Sequence, residues 1–201
     1  MLYLITNRKI VINNRYFETI KDSILAGVDA IIVREKDLPT EDLMLIAKEI
    51  KNLIKNYAAK KVTLIINTNE KVAISIDADG LHLGFNDFMK FDRRFNGIMG
   101  VSVHSIEEAV LSQEKGANYV LAGHVFQTKS KKGLNGRGID FIKVVKSKVT
   151  IPVIALGGIT HLNVKEVLNA GADGIAVMSY IMSAEDPYNS TLLIKSKIDD
   201  V

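Results

Sequence analysis

Cysteine is absent from the 201 residues, so neither a disulfide nor a thiolate nucleophile belongs to this protein. No charge of one sign dominates either. Lysines and arginines number 26 against 23 acids, a net charge of +3, and the two signs alternate along the chain. That excludes the basic stripe of a nucleic-acid binder. Long hydrophobic runs are missing as well. The opening "MLYLITNRK" is apolar for only five residues, too short for a signal peptide and far from a membrane span. The expectation is a cytoplasmic protein with no nucleic-acid and no membrane partner. No low-complexity tract, linker or repeat beyond a strand–helix rhythm shows, so one domain over residues 1–201 is expected.

What the chain does have is that rhythm. Short apolar runs stand at 2–6, 30–34, 62–67, 80–84, 98–103, 119–123, 152–157 and 174–178. Most are continuous Val, Ile and Leu, as in a sheet covered on both faces. Amphipathic segments lie between them. In "TEDLMLIAKEIKNLIKNYA" (40–58), Leu43, Ile46, Ala47, Ile50 and Leu53 fall at helical spacing. "SIEEAVLSQEKG" opens with Ser105 and Glu108, a capping-box pair, and closes on Gly116. Eight βα pairs predict a parallel sheet with right-handed crossovers. Eight is also the number that closes such a sheet into a (β/α)₈ TIM barrel, the expected α/β fold, with an open doubly wound sheet as the competitor. An exposed barrel face could support a homo-oligomer.

In a barrel the functional groups collect at the C-terminal strand ends. Those ends carry Thr6, Asn7, Arg34, Glu35, Lys36, Asn67, Asn69, Asp87, Ser102, His124, Gly157, Gly158 and Ser179. Cations, amides and glycine turns together suit a small anion. In "VREK", alternation sets Arg34 and Lys36 toward the barrel mouth and turns Glu35 outward. The Gly-Gly step of "ALGGIT" (155–160) follows the seventh run, and "AVMS" (176–179) ends the eighth. Gly157, Gly158 and Ser179, with Met178 beside them, are candidates for a phosphate site; a plain tight turn is the other reading of Gly-Gly. "GHVFQTKSKKGLNGRG" (123–138) begins at a strand end with His124 and runs into a glycine-rich loop. Lys129 and Lys132 read as a solvated face, whereas Thr128 and Lys131 are candidates for the ligand side. Of the other histidines, His82 points either into the barrel or toward a covering helix, His104 reads as a turn residue and His161 as the start of a helix in solvent.

Several segments, in order and along essentially the whole chain, carry a resemblance. "VREK" (33–36), "DGLHLG" (79–84), "GVSVHSIEEA" (100–109), "IPVIALGGI" (151–159) and "AGADGIAVMS" (170–179) resemble the signatures of the thiamine phosphate synthase/TenI superfamily. The resemblance implies a barrel and two candidate activities. Synthases join a pyrimidine pyrophosphate to a thiazole phosphate with Mg²⁺. TenI-type tautomerases aromatise a thiazole carboxylate phosphate by a proton shift.

The loop at 123 begins Gly-His, like the tautomerase branch, where synthases usually carry Gly-Pro. Two departures point the same way. Thr68 stands where synthases have a metal-holding aspartate, and Ile32 replaces a glutamine two residues before the arginine. Asp87 remains as one candidate ligand. The implied reading is a tautomerase, an isomerase with no cofactor and no metal, working on a small phosphorylated thiazole. His124 is its catalytic base, an imidazole being the side chain suited to carrying a proton near neutral pH. Arg34, Lys36, Asn67, Ser102, Thr128 and Lys131 would bind the substrate. A Mg²⁺-dependent synthase and a non-catalytic regulatory protein are the alternatives.

Overall fold

A computed structural model describes residues 1–128, 133 and 135–200. Its strands are β1 (Leu2–Ile5), β2 (Ala30–Val33), β3 (Thr63–Asn67), β4 (Gly80–Gly84), β5 (Ile98–Val103), β6 (Tyr119–Gly123), β7 (Val153–Leu156) and β8 (Gly174–Val177). Each pairs in parallel with its sequence neighbour, and Leu2–Leu4 of β1 run in register with Ile175–Val177 of β8. That last pairing closes the barrel and removes the open sheet as a competitor.

Alternation along each strand makes two apolar layers. Leu2, Leu4, Ile31, Val33, Leu81 and Leu83 point out, into the layer under the helices. Tyr3, Ile5, Ala30, Ile32, Ile65, Tyr119, Leu121, Ile154 and Ala176 fill the lumen. The outer ring is built from α1 (Tyr16–Leu25), α2 (Thr40–Tyr57), α3 (Glu70–Ser75), α4 (Phe85–Lys90), α5 (Ile106–Glu114), α6 (Ile139–Lys148) and α7 (Val164–Asn169). After β8 the single turn α8 (Ser179–Met182) leads to α9 (Pro187–Asp199), which packs on α1 and α7. The capping pair before α5 forms with a shift. Ser105 Oγ accepts from Glu108 N at 3.1 Å, but Glu108 Oε2 reaches back to His104 N at 2.6 Å.

The structure also shows a repeat that the strand–helix rhythm conceals. Its period is two βα units. Each odd-numbered helix up to α7 ends on a residue with positive φ: Gly27 (93°), Asp77 (51°), Gly116 (94°) and Gly171 (98°). The N–H of the next residue bonds back to the last helical turn. Val28 reaches Ser23 O, Ala78 reaches Ala73 O, Ala117 reaches Ser112 O and Ala172 reaches Val167 O, at 2.9–3.5 Å. These are Schellman closures. The residue after that is Asp29, Asp79, Asn118 or Asp173. Its side-chain oxygen accepts a backbone N–H near the start of the preceding odd strand: Leu2, Leu64, Met99 and Val153, at 2.7–2.8 Å. Four equivalent clamps therefore ring the base, opposite the end where a site is expected.

Each clamp satisfies an N–H that would otherwise face the closed end of the sheet. Asp79→Ala should cost about 1–2 kcal/mol of stability, the penalty for an orphaned and partly buried donor. Asp79→Asn keeps an acceptor, as Asn118 does naturally, and should cost less. Urea midpoints of the two variants check the order. Equal losses would mean that the carboxylate's charge, and not its acceptor, matters.

Candidate active site

The rim at the C-terminal ends of β1 and β2 is organised around a buried acid. Glu35 is 5% exposed. Its Oε1 accepts from Thr6 Oγ1 and Tyr16 Oη, both at 2.9 Å, and from Arg8 N at 3.1 Å. Arg8 Nη1 bonds to its Oε2 at 3.2 Å. The outward turn expected from alternation is correct, but the side chain does not reach solvent. Arg8 also forks onto Asp37, with both contacts at 2.7 Å. Arg8, and then Lys9, holds the Asp37 carboxyl well below the usual range. The loop after β1 is thus stapled to the loop after β2, and the Arg34–Lys36 segment is fixed from behind. Thr6 Oγ1 completes the staple by accepting from Arg34 N at 3.0 Å.

Arg34 is half-buried on the lumen side of the rim. Desolvation pulls its pKa down, and the neighbouring Glu35 charge opposes that. Lys36, Asn67, Thr68 and Asp87 line one pocket of about 630 Å³. Thr68 has φ 70°, a left-handed conformation that a β-branched residue adopts only under constraint. Its N–H is tied to His82 O at 2.8 Å and its Oγ1 accepts from Asn67 Nδ2 at 2.5 Å. Asn69, also on the pocket wall, is occupied in the framework. It accepts from Val72 N to cap α3 and donates to Thr40 Oγ1. Glu70 pairs with Arg93 at 3.2 Å. Asp87, exposed on the pocket wall, makes no side-chain hydrogen bond or ion pair among the described residues.

Beneath the rim lies a polar line that the sequence reading left undecided. His82 points into the lumen and is 2% exposed. Its Nδ1 lies 2.9 Å from Tyr119 Oη and its Nε2 2.7 Å from Ser102 Oγ. Burial, helped by the nearby Arg34 charge, lowers its pKa to about 3, so the ring is neutral. Gly100 makes the contact feasible, since a Cβ there would sit 2.1 Å from the Tyr119 ring. The sequence holds one clue to this line: His82 lies between Leu81 and Leu83, which face outward.

The remaining predicted residues lie around β6 to β8. His124 follows β6 through a cis Gly123–His124 peptide and is 8% exposed. Its Nε2 is buried and has no hydrogen-bond partner among the described residues. Gly157 (φ 109°) and Gly158 (φ 65°) form the turn after β7. A Cβ on Gly157 would lie 2.4 Å from His124 Cβ, and one on Gly158 would lie 2.7 Å from Gln127 O. The two glycines therefore let the loop after β6 pack directly on this turn. Met178 packs on the lumen cluster and receives Asn7 Nδ2 at its sulfur at 3.9 Å, while Ser179 opens α8 next to it. Thr128 is the last residue described before the loop; Lys131, like Lys129, Ser130 and Lys132, lies outside the described residues. His104 and His161 are framework residues, bonded to Gly123 O at 3.1 Å and Tyr180 Oη at 2.7 Å.

A family profile described as thiamine monophosphate synthase matches residues 2–181. The chain belongs to that family. The thiamine-phosphate synthase of Clostridium botulinum strain Hall is 40% identical over 190 residues, covering 92% of this chain and 91% of the relative. The thiamine-phosphate synthase of Pyrococcus furiosus is 36% identical over 203 residues, covering 100% and 95%. Among solved structures, a thiamine phosphate pyrophosphorylase from Pyrococcus furiosus superposes with a TM-score of 0.85 at 33% identity, covering 99% of this chain and 95% of that one.

These relatives correct the expected tautomerase activity. Family members 36–40% identical over nearly the whole chain carry the synthase name, which makes a transferase and not an isomerase the activity in line with them. The Gly-His pair at 123–124 is therefore compatible with membership of a synthase-named group and does not by itself mark a tautomerase.

Proposed function

We propose that the protein is a thiamine-phosphate synthase, a transferase that joins a pyrimidine pyrophosphate to a thiazole phosphate. Its partners are then two small phosphorylated molecules, handled by one barrel over residues 1–201 in the cytoplasm. Among the described residues no helix is long and apolar enough to cross a membrane. The observation that carries the reading is one pocket lined by both a cation, Lys36 after β2, and a carboxylate that has no partner among the described residues, Asp87 after β4. A tautomerase has no use for that pairing, whereas a pyrophosphate-releasing reaction does.

In the transfer, a lone pair on the thiazole nitrogen forms the new C–N bond at the pyrimidine methylene carbon. The C–O bond to pyrophosphate breaks, and its electron pair leaves with the pyrophosphate. No proton is abstracted, so no base is required. Charge grows on the departing oxygen, and stabilising it is the main catalytic task. Arg34 can hold a pyrophosphate oxygen pair through its forked donors, and Lys36 adds a point charge.

Bound Mg²⁺ would supply positive charge to offset that of the departing pyrophosphate, and the protein's part would be to hold it through one or two carboxylates. Asp87, exposed and without a partner among the described residues, fits that donor set, with Asn67 and Thr68 lining the same pocket as neutral oxygens. The expectation of a metal-free reaction rests on Thr68 in place of an acid as well as on the proton shift; the synthase reading instead assigns the metal to the single carboxylate of Asp87. Gly157, Gly158 and Ser179, with Met178 adjacent, are assigned to the thiazole phosphate. Asn67, Ser102 and Thr128 are assigned to orienting the two substrates, and Lys131 to the leaving group.

The test is incubation with both substrates and Mg²⁺, following thiamine phosphate by mass spectrometry and pyrophosphate release in parallel. Stoichiometric appearance of the two products is expected. Failure to form the joined product with both substrates in excess ends the proposal.

A further inference from the structure

We infer that Tyr119 and His82 form a directional chain of hydrogen bonds that leaves the Ser102 hydroxyl free to donate its proton to the anionic end of a substrate. The inference rests on the synthase reading, in which Ser102 faces a pyrophosphate-bearing molecule. It makes Tyr119 and His82 positioning residues, acting through Ser102 without touching the substrate.

The direction follows from donor counting. The Tyr119 side chain is enclosed in the lumen, 2% exposed, and burial raises its hydroxyl's pKa well above the ordinary value, so it keeps its proton. The acceptor within reach of that proton is His82 Nδ1 at 2.9 Å. A buried hydroxyl whose proton finds no acceptor is disfavoured. Nδ1 therefore accepts, and the single proton of the neutral ring sits on Nε2. Nε2 lies 2.7 Å from Ser102 Oγ and so must donate to it. Ser102 Oγ has His82 as its side-chain partner among the described residues, and once it accepts from Nε2–H its own proton is free. Ser102 is half-buried at the rim end of β5, where an anion could receive that proton. The opposite arrangement would have Ser102 donating inward to Nε2 and presenting only lone pairs to an anion, which repels it.

The framework holds the chain in this order. Gly100 leaves room for the Tyr119 ring, and Tyr3 packs against that ring with centroids 5.5 Å apart. Asn67 and Gly100 flank His82 in the register of β3 and β5. None of these neighbours offers the Tyr119 hydroxyl a second acceptor among the described residues.

Two measurements test this on the full chain. Nitrogen-15 NMR of labelled histidine, with the His82 signals assigned by comparison with His82→Gln, should report a protonated Nε2 and a bare Nδ1. Tyr119→Phe removes the donor to Nδ1 and should shift the ring toward a mixture of tautomers. Titration with inorganic pyrophosphate and Mg²⁺ should show about 5–10-fold weaker binding for Tyr119→Phe, and no further loss when that change is added to Ser102→Ala, because one acts through the other. A protonated Nδ1 in the native protein overturns the inference. So does a Tyr119→Phe loss that persists undiminished in the Ser102→Ala background, or a Ser102→Ala variant that binds pyrophosphate normally. Synthase turnover of the native protein is scored separately, so a failed chain with product still forming leaves the proposed function standing.

Discussion

Arg34→Ala is expected to lower kcat/KM for the pyrimidine pyrophosphate by about 10²–10³-fold, the usual loss when one donor to developing charge is removed. The size follows from Arg34's setting. Its guanidinium is half-buried, so the charge is poorly screened. Its backbone is pinned through Thr6 and its chain neighbour Glu35 is locked by Arg8 and Tyr16. Little reorganisation is then needed when pyrophosphate begins to leave. Arg34→Lys keeps the charge but loses the fork and should recover only part of the loss. Steady-state kinetics with the thiazole phosphate saturating, together with inhibition by inorganic pyrophosphate, give the two numbers needed. A loss below about threefold in both would place the leaving group elsewhere on the rim.

The second large effect is acid lability through His82. The folded ring has a pKa near 3, set first by burial and then by Arg34, against 6.5 when exposed. Below about pH 6.5 the unfolded chain binds a proton here that the folded chain refuses. This contribution is fully present above pH 6.5 and is withdrawn as pH falls toward 3. The slope approaches about 1.4 kcal/mol per pH unit, on the order of 5 kcal/mol over the whole window. Carboxylates such as Asp29 also weaken the fold in acid, so His82→Gln serves as the reference. The stability difference between the native protein and that variant should shrink steadily between pH 6.5 and 3. A difference that stays constant with pH would show that the ring does not titrate as its surroundings require. Arg34→Ala should end the decline at a higher pH and so reduce its total, because one of the two causes of the low pKa is gone.

The barrel was legible because its strands are buried on both faces and so read as unbroken Val, Ile and Leu runs. Even the mixed runs "GLHLG" and "YVLAG" have the same bounds in sequence as β4 and β6 have in space. The rim was legible for a related reason: whatever polar residue ends such a run must stand at the mouth. Partnership across the lumen was not legible. His82 and Tyr119 are 37 positions apart and meet only because Gly100 has no side chain between them. Glu35 read correctly as pointing away from the lumen, but its burial depends on Arg8 and Tyr16 folding over it from another loop. His124 stands out by its place at a strand's C-terminal end and by its Gly-His context, and neither tells what its two ring nitrogens meet. The base repeat was in plain letters, "GVDA", "DADG", "GANY" and "GADG". Unequal helix lengths hid its period.

That base repeat divides the chain into quarters. Each of the four joints closes within a continuous stretch, Leu2 with Asp29, Leu64 with Asp79, Met99 with Asn118 and Val153 with Asp173. The connections after α2, α4 and α6 lie between quarters and cross none of them. New termini opened at 59–61, 92–96 or 149–150 would leave every joint intact, whereas a cut at 26–28 would sever one. The barrel is thus a set of four self-fastened staves, and its rim loops can be exchanged without loosening the hoop beneath them.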